Sequence, residues 1–154
     1  MQPKIIDVVE VTPVMANAGL YSSGDQVGAP IEVPNFMLSE GGQANVVSLT
    51  VVDKSAATGV ALDVWFYNAM PTTVADNVAF SMVDAELSKV LGHIKVASTD
   101  YSSEALGCLG CVRNINLILE AAAKTKSLWV SLVTRGGPTY ATGDITLKFG
   151  LQQK

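Results

Sequence analysis

A single histidine, His93, stands between Gly92 and Ile94, and any general-base or triad chemistry in this chain would have to use it. A Ser/His/Asp arrangement also needs its nucleophile on a sharp turn, and no Gly-x-Ser-x-Gly elbow occurs, so His93 reads as a structural residue. Cys108-Leu109-Gly110-Cys111 is a lone C-x-x-C. It offers two ligands where structural zinc takes four, so a metal site there would need carboxylates or a second subunit. A thioredoxin-type pair opens a helix in a βαβ setting, which the surrounding pattern lacks. The pair reads as reduced, packed thiols, with a redox-sensitive disulfide loop or a metal site as alternatives.

The carboxylates are dispersed singly, as at Asp53, Asp63, Asp76, Asp84 and Asp100, and no Asp-x-Asp-x-Asp calcium loop can be assembled from them. The pairs Gly41-Gly42 and Gly136-Gly137 do not open helices as phosphate loops must, so they read as turns. No enzyme active site, cofactor or metal is expected. What remains is aromatic: Trp65, Tyr67, Tyr101, Trp129 and Tyr140 are candidates for a binding face.

The elements that must position these residues are short β-rich runs separated by turn residues. Expected strands cover 5–14, 26–33, 44–53, 60–68, 93–97, 112–119, 127–134 and 144–151. In 44–53, Val47, Leu49 and Val51 alternate with Ser48 and Thr50, as in a half-buried strand. In 60–68, Leu62, Val64 and Phe66 take one face, and Asp63, Trp65 and Tyr67 take the other. These two runs are expected to form a hairpin with a long loop. One short helix is expected with Ser81 as N-cap, a Val83, Leu87, Val90, Leu91 stripe and Gly92 just past its end. The segment 112–126 is ambiguous, because Glu120-Ala121-Ala122-Ala123-Lys124 has high helix propensity. Strand is preferred for 112–119. The expected fold is all-β: an antiparallel two-sheet β-sandwich over 1–154, jelly-roll-like, with an immunoglobulin-like sandwich as the alternative.

The chain has 154 residues, 49% hydrophobic and only 16% charged, with a formal net charge of −4. A typical charged share is about 25%. So little charge suits a surface partly covered by other subunits, since interface cores are depleted in charge. The scattered cations and negative balance argue against nucleic-acid binding, which needs clustered Lys and Arg. No targeting segment or membrane span is read in the sequence. Only one face of each sheet packs inward, so either the Trp65 and Tyr67 side or the Val64 and Phe66 side of this strand needs another cover. A neighbouring subunit is the preferred cover and a loop of the same chain the alternative.

Several stretches carry a resemblance in their order and spacing. They are Tyr21-Ser22-Ser23-Gly24-Asp25 with Val27-Gly28, the run 61–68, Leu91-Gly92 with Asp100-Tyr101, the run 128–140, and Leu147-Lys148-Phe149-Gly150. Together they resemble small structural proteins of tailed bacteriophages, the capsid decoration or cement proteins, over nearly the whole chain. The resemblance implies a non-enzymatic β-sandwich subunit, a homotrimer, that sits on the capsid exterior and clamps neighbouring copies of the major capsid protein. It implies synthesis in the cytoplasm of the bacterial host. Cys108 and Cys111 are not part of the pattern. Expected capsid or subunit contacts are Gln2, Pro3 and Lys4 in an N-terminal arm of residues 1–4, Trp65 and Tyr67, and Tyr101 in a polar loop. The rival expectation is a tail-associated or receptor-binding module that holds a glycan through exposed aromatics.

Overall fold

The computed structural model describes residues 5–55, 59–72, 74–104 and 106–153. Among them the strands are β1 (Ile5–Val11), β2 (Gly19–Leu20), β3 (Gln26–Val33), β4 (Gln43–Asp53), β5 (Leu62–Tyr67), β6 (Val90–Val96), β7 (Tyr101–Glu104), β8 (Gly107–Glu120), β9 (Leu128–Thr134), β10 (Thr139–Tyr140) and β11 (Ile145–Gln153). A single helical turn, α1 (Asp84–Leu87), and a 3-10 turn at Ser98–Asp100 complete them.

The strands form a five-stranded sheet in the order β1-β11-β4-β8-β7, a four-stranded sheet in the order β3-β9-β5-β6, and a small β10-β2 ribbon. Every pairing is antiparallel. The pairs β1·β11, β3·β9, β4·β8 and β5·β6 are successive steps along one folded ribbon. Rolling that ribbon joins β11 to β4 and β9 to β5, which is the eight-stranded jelly-roll order. An immunoglobulin-like sandwich keeps its first two strands in one sheet, whereas β1 and β3 here lie in opposite sheets.

One hydrophobic core fills the space between the sheets. Leu62, Val64 and Phe66 enter it from β5, Leu128, Val130 and Leu132 from β9, and Ile145, Leu147, Phe149 and Leu151 from β11, all buried. Phe36, Phe66 and Phe149 meet at its centre with ring centroids 5.4–6.4 Å apart. Tilted and edge-on contacts of this kind suit the aromatic quadrupole.

Local pattern misread four features. β4 and β5 are not a hairpin: they lie in opposite sheets. In β4 a register shift between Val46 and Ser48 turns Val46 inward beside Leu49 and Val51, and leaves Val47 half-buried. Opposite it, Asn114 and Asn116 adopt φ of 57° and 53°, a left-handed conformation that Asn tolerates. That is why the alternation through 114–119 is imperfect. The expected helix shrinks to one turn, with Val83 rather than Ser81 at its N-cap and no side-chain cap bond. Val90, Leu91 and Gly92 instead belong to β6, where Val90 and Gly92 pair with Tyr67 and Phe66; ladder bonds and burial outweigh a helix too short to nucleate alone. The loop expected at Tyr101 is strand β7, paired with β8.

Candidate interaction surface

The two outer sheet faces differ. On the four-stranded sheet, the described parts of the connection between β5 and β6, residues 68–72 and 74–89, fold back over β5 and β9. Pro71, Thr72, Phe80 and Glu86 close around Tyr67, which is 1% exposed, and burial pushes its phenol above the ordinary value. Trp65 stacks with its cross-strand neighbour His93 at 4.6 Å and with Phe80 at 5.8 Å. Asp63, also on this face, is buried and paired with Arg135 at 2.6 Å. The preferred expectation is therefore corrected for Tyr67, whose cover is the chain's own connection and which offers no surface to a partner; Trp65 is half-buried between Phe80 and the exposed His93.

Buried polar groups hold this cover in place. Asp76 accepts the Tyr21 hydroxyl at 2.8 Å, the Gly28 N–H at 2.7 Å and the Asn17 N–H at 2.7 Å. Gln26 Nε2 donates to the Val74 carbonyl at 3.1 Å, and Asn77 turns the chain at φ 61°. At the other end, Glu86 accepts the Thr72 hydroxyl and N–H at 2.6 and 2.9 Å and pairs with Lys89 at 3.1 Å. The two Thr72 bonds hold the Glu86 carboxyl below the ordinary glutamate value.

The outer face of the five-stranded sheet carries no such layer from the described residues. Strand register lays out its side chains in rows. Ile6, Gln152, Asn45 and Ile118 lie side by side, then Val8, Gly150, Ser48 and Arg113, then Glu10, Lys148, Thr50 and Cys111. Ile6 is 72% and Ile118 66% exposed. Three strand spacings of about 4.8 Å separate them. In the next row a Cβ at Gly150 would collide with Ser48 Oγ, so the serine hydroxyl occupies the space over that glycine. Glu10 and Lys148 neutralise each other at 3.4 Å, leaving Arg113 as the unpaired charge of these rows. The result is a charge-poor outer face with Ile6 and Val8 exposed on β1 and Ile118 exposed three strands away on β8.

The remaining expected residues are dispersed. Gln2, Pro3 and Lys4 lie outside the described residues. Tyr101 is not a loop tip: its ring lies against Gly59 and Gly110, its hydroxyl is buried without a partner, and burial pushes its phenol up. Cys108 points inward and Cys111 lies on the outer face beside Thr50. Residues three apart in a strand face opposite ways, so this pair can share neither a disulfide nor a metal. Asp53 is buried near the same end, and burial pushes its carboxyl up despite two bonds from Ser55. Among the described residues no three His, Cys, Asp or Glu side chains converge as a metal site, and no helix is long and apolar enough to cross a membrane.

The sequence reading missed Ile6, Val8 and Ile118 as surface residues. The available signal was the run Ile5-Ile6-Asp7-Val8-Val9-Glu10-Val11, apolar on both faces where a half-solvated strand should alternate.

No protein-family model and no curated protein matches the chain. Among solved structures it is similar to the infectious bursal disease virus VP2 subviral particle, with 15% sequence identity and a TM-score of 0.41. That match covers 97% of this chain and 32% of the other, so the chain spans about a third of its length.

Proposed function

We propose that this chain is a non-catalytic structural subunit of a virus particle, a decoration or cement protein of a tailed-phage head. In this reading it attaches to the major capsid protein through the outer face of the five-stranded sheet. It self-associates as a homotrimer on the capsid exterior after synthesis in the bacterial cytoplasm, with no nucleic-acid or membrane partner. The observation that carries the reading is the outer face on which Ile6, Val8 and Ile118 stand exposed, on a chain of only 16% charged residues. Exposed apolar patches rimmed by polar groups mark interaction sites. The jelly-roll order supports it, since viral shell subunits use that architecture, although lectins and cupins use it too.

Attachment works by multivalency. Each contact is modest, but an assembled lattice presents several at the spacing a rigid oligomer requires, so binding selects the finished shell over free subunits. The rival glycan-binding reading is weakened because the Trp65 ring already stacks within the chain on His93 and Phe80.

The test is co-sedimentation of the purified chain with empty, tailless heads. Wild-type chain should pellet with heads, and the double variant Ile6→Asp, Ile118→Asp should stay in solution. Pelleting of that variant at the wild-type level, or failure of the wild-type chain to bind heads, would reject the reading.

A further inference from the structure

Asp53 is the last residue of β4, with its side chain on the core face and only 2% exposed. Its Oδ1 accepts the Ser55 N–H at 2.9 Å and the Ser55 hydroxyl at 2.6 Å, while Oδ2 is buried with no partner. Other groups face it from each neighbouring element. Cys108, buried near the start of β8, is its ladder partner, and Ile145 of β11 stands on the other side. The Tyr101 ring lies over Gly110, the ladder partner of both Tyr101 and Val51, so it reaches from β7 across β8 toward β4. The Tyr101 and Tyr140 hydroxyls are buried without partners, and both phenols are pushed up, first by burial and next by the Asp53 charge. Asp144, just before β11, adds a second carboxylate whose charge Asp53 feels. Its carbonyl accepts the Lys54 N–H at 2.8 Å, but the Lys54 side chain is exposed. Among the described residues no Lys or Arg pairs with Asp53. Every ionisable group facing this carboxyl can therefore add only negative charge.

We propose that Asp53 is a proton-uptake switch, which makes this end of the sandwich hold more firmly as the solution is acidified. A buried carboxylate without a cation is costly, and binding a proton removes that cost. The proton comes from solvent and binds Oδ2, the oxygen with no hydrogen bond to lose, while Oδ1 keeps its two bonds from Ser55. Three chain segments meet at the carboxyl, through Ser55 after β4, Cys108 in β8 and Asp144 before β11, so all three benefit when its charge is gone. Burial raises the Asp53 carboxyl above its ordinary value, and the sign follows. Ionisation lowers stability in full above the folded value, by less as pH falls through it, and not at all below the unfolded value. Glu86 has the opposite sign, because its Thr72 bonds favour the charged form. Mild acid therefore strengthens the Asp53 end before stronger acid loosens the cover. The inference goes beyond the capsid reading and does not depend on it.

The test has two arms on the full chain. Carboxyl-carbon NMR of the isotope-labelled wild type follows Asp53 over pH, and its midpoint should lie above that of a blocked aspartate in the same buffer. Urea unfolding then compares wild type with Asp53→Asn, which has the shape of the protonated form, at neutral pH and in mild acid. The variant should gain on wild type at neutral pH, and that gain should shrink in mild acid. All other carboxyls are common to the two chains and cancel in the difference. If Asp53→Asn does not fold, the wild-type titration decides alone. The proposal is overturned by a midpoint at or below that of the blocked aspartate, or by a stability difference between the two chains that is the same at both pH values.

Discussion

The two outer sheet faces of this jelly roll have the same physical problem and opposite solutions. The four-stranded sheet carries Trp65 and Tyr67 outward, and the chain covers Tyr67 fully and Trp65 in part with residues 68–72 and 74–89, pinned by Asp76 at one end and Glu86 at the other. The five-stranded sheet carries Ile6, Val8 and Ile118 outward, and they stay exposed. A face that is both apolar and covered contributes to folding, because it leaves water when the chain folds. A face that is apolar and bare still has that burial available for association. The contrast assigns stability to one sheet and, under the proposed function, partner contact to the other.

Substitutions on the two faces should therefore separate folding from attachment, and the largest effect belongs to the covered face. Tyr67→Ala should lower stability to urea by about 3–5 kcal/mol, the range for removing a fully buried aromatic. A loss under about 1 kcal/mol would mean that residues 68–89 do not hold the cover closed.

Next in size is Asp76→Ala, which strands the Tyr21 hydroxyl and the Gly28 and Asn17 N–H groups. It should cost about 3 kcal/mol, and hydrogen exchange at Gly28 should speed up before exchange in β4 and β11. Uniform acceleration through both sheets would show that the cover and the core open as one unit.

On the bare face, Ile118→Asp should change folding stability by no more than about 0.5 kcal/mol. It should nonetheless reduce attachment to empty heads. A large folding cost would move this face from the docking side of the contrast to the folding side.

The smallest effect is acid sensitivity of the cover. Because the Thr72 bonds lower the Glu86 pKa, the stabilisation they bring is fully present above the ordinary glutamate value. It is lost as pH falls through the lowered folded value. Protection of the Thr72 N–H from exchange should therefore decline in acid before that of Leu147 in β11. Equal decline at both sites would remove Glu86 as the latch.

Much of the sandwich was legible in the residues alone. Alternation in 127–134 and 144–151 located two strands closely and put Leu128, Val130 and Leu132, and Ile145, Leu147, Phe149 and Leu151, on one face, as the structure has them, because a strand with one buried face must repeat every second residue. The scatter of His93, the cysteines and the carboxylates gave no constellation for catalysis. Which strands pair was not legible, since a link of eight residues serves a hairpin or a crossing between sheets equally well, and β4 and β5 lie in opposite sheets. The bulge at Val47 was hidden for a related reason: an added residue reverses facing only when a partner strand fixes the register.

The sequence by itself determined that this chain is a charge-poor β protein with more apolar strand surface than one core needs, a property of composition and period. Tertiary structure alone decided which surplus would be covered. Residues 68–72 and 74–89 reach back over β5 because Asp76 finds Tyr21, Gly28 and Asn17, partners 48 or more residues away in the chain. Contacts so distant in sequence leave no local pattern.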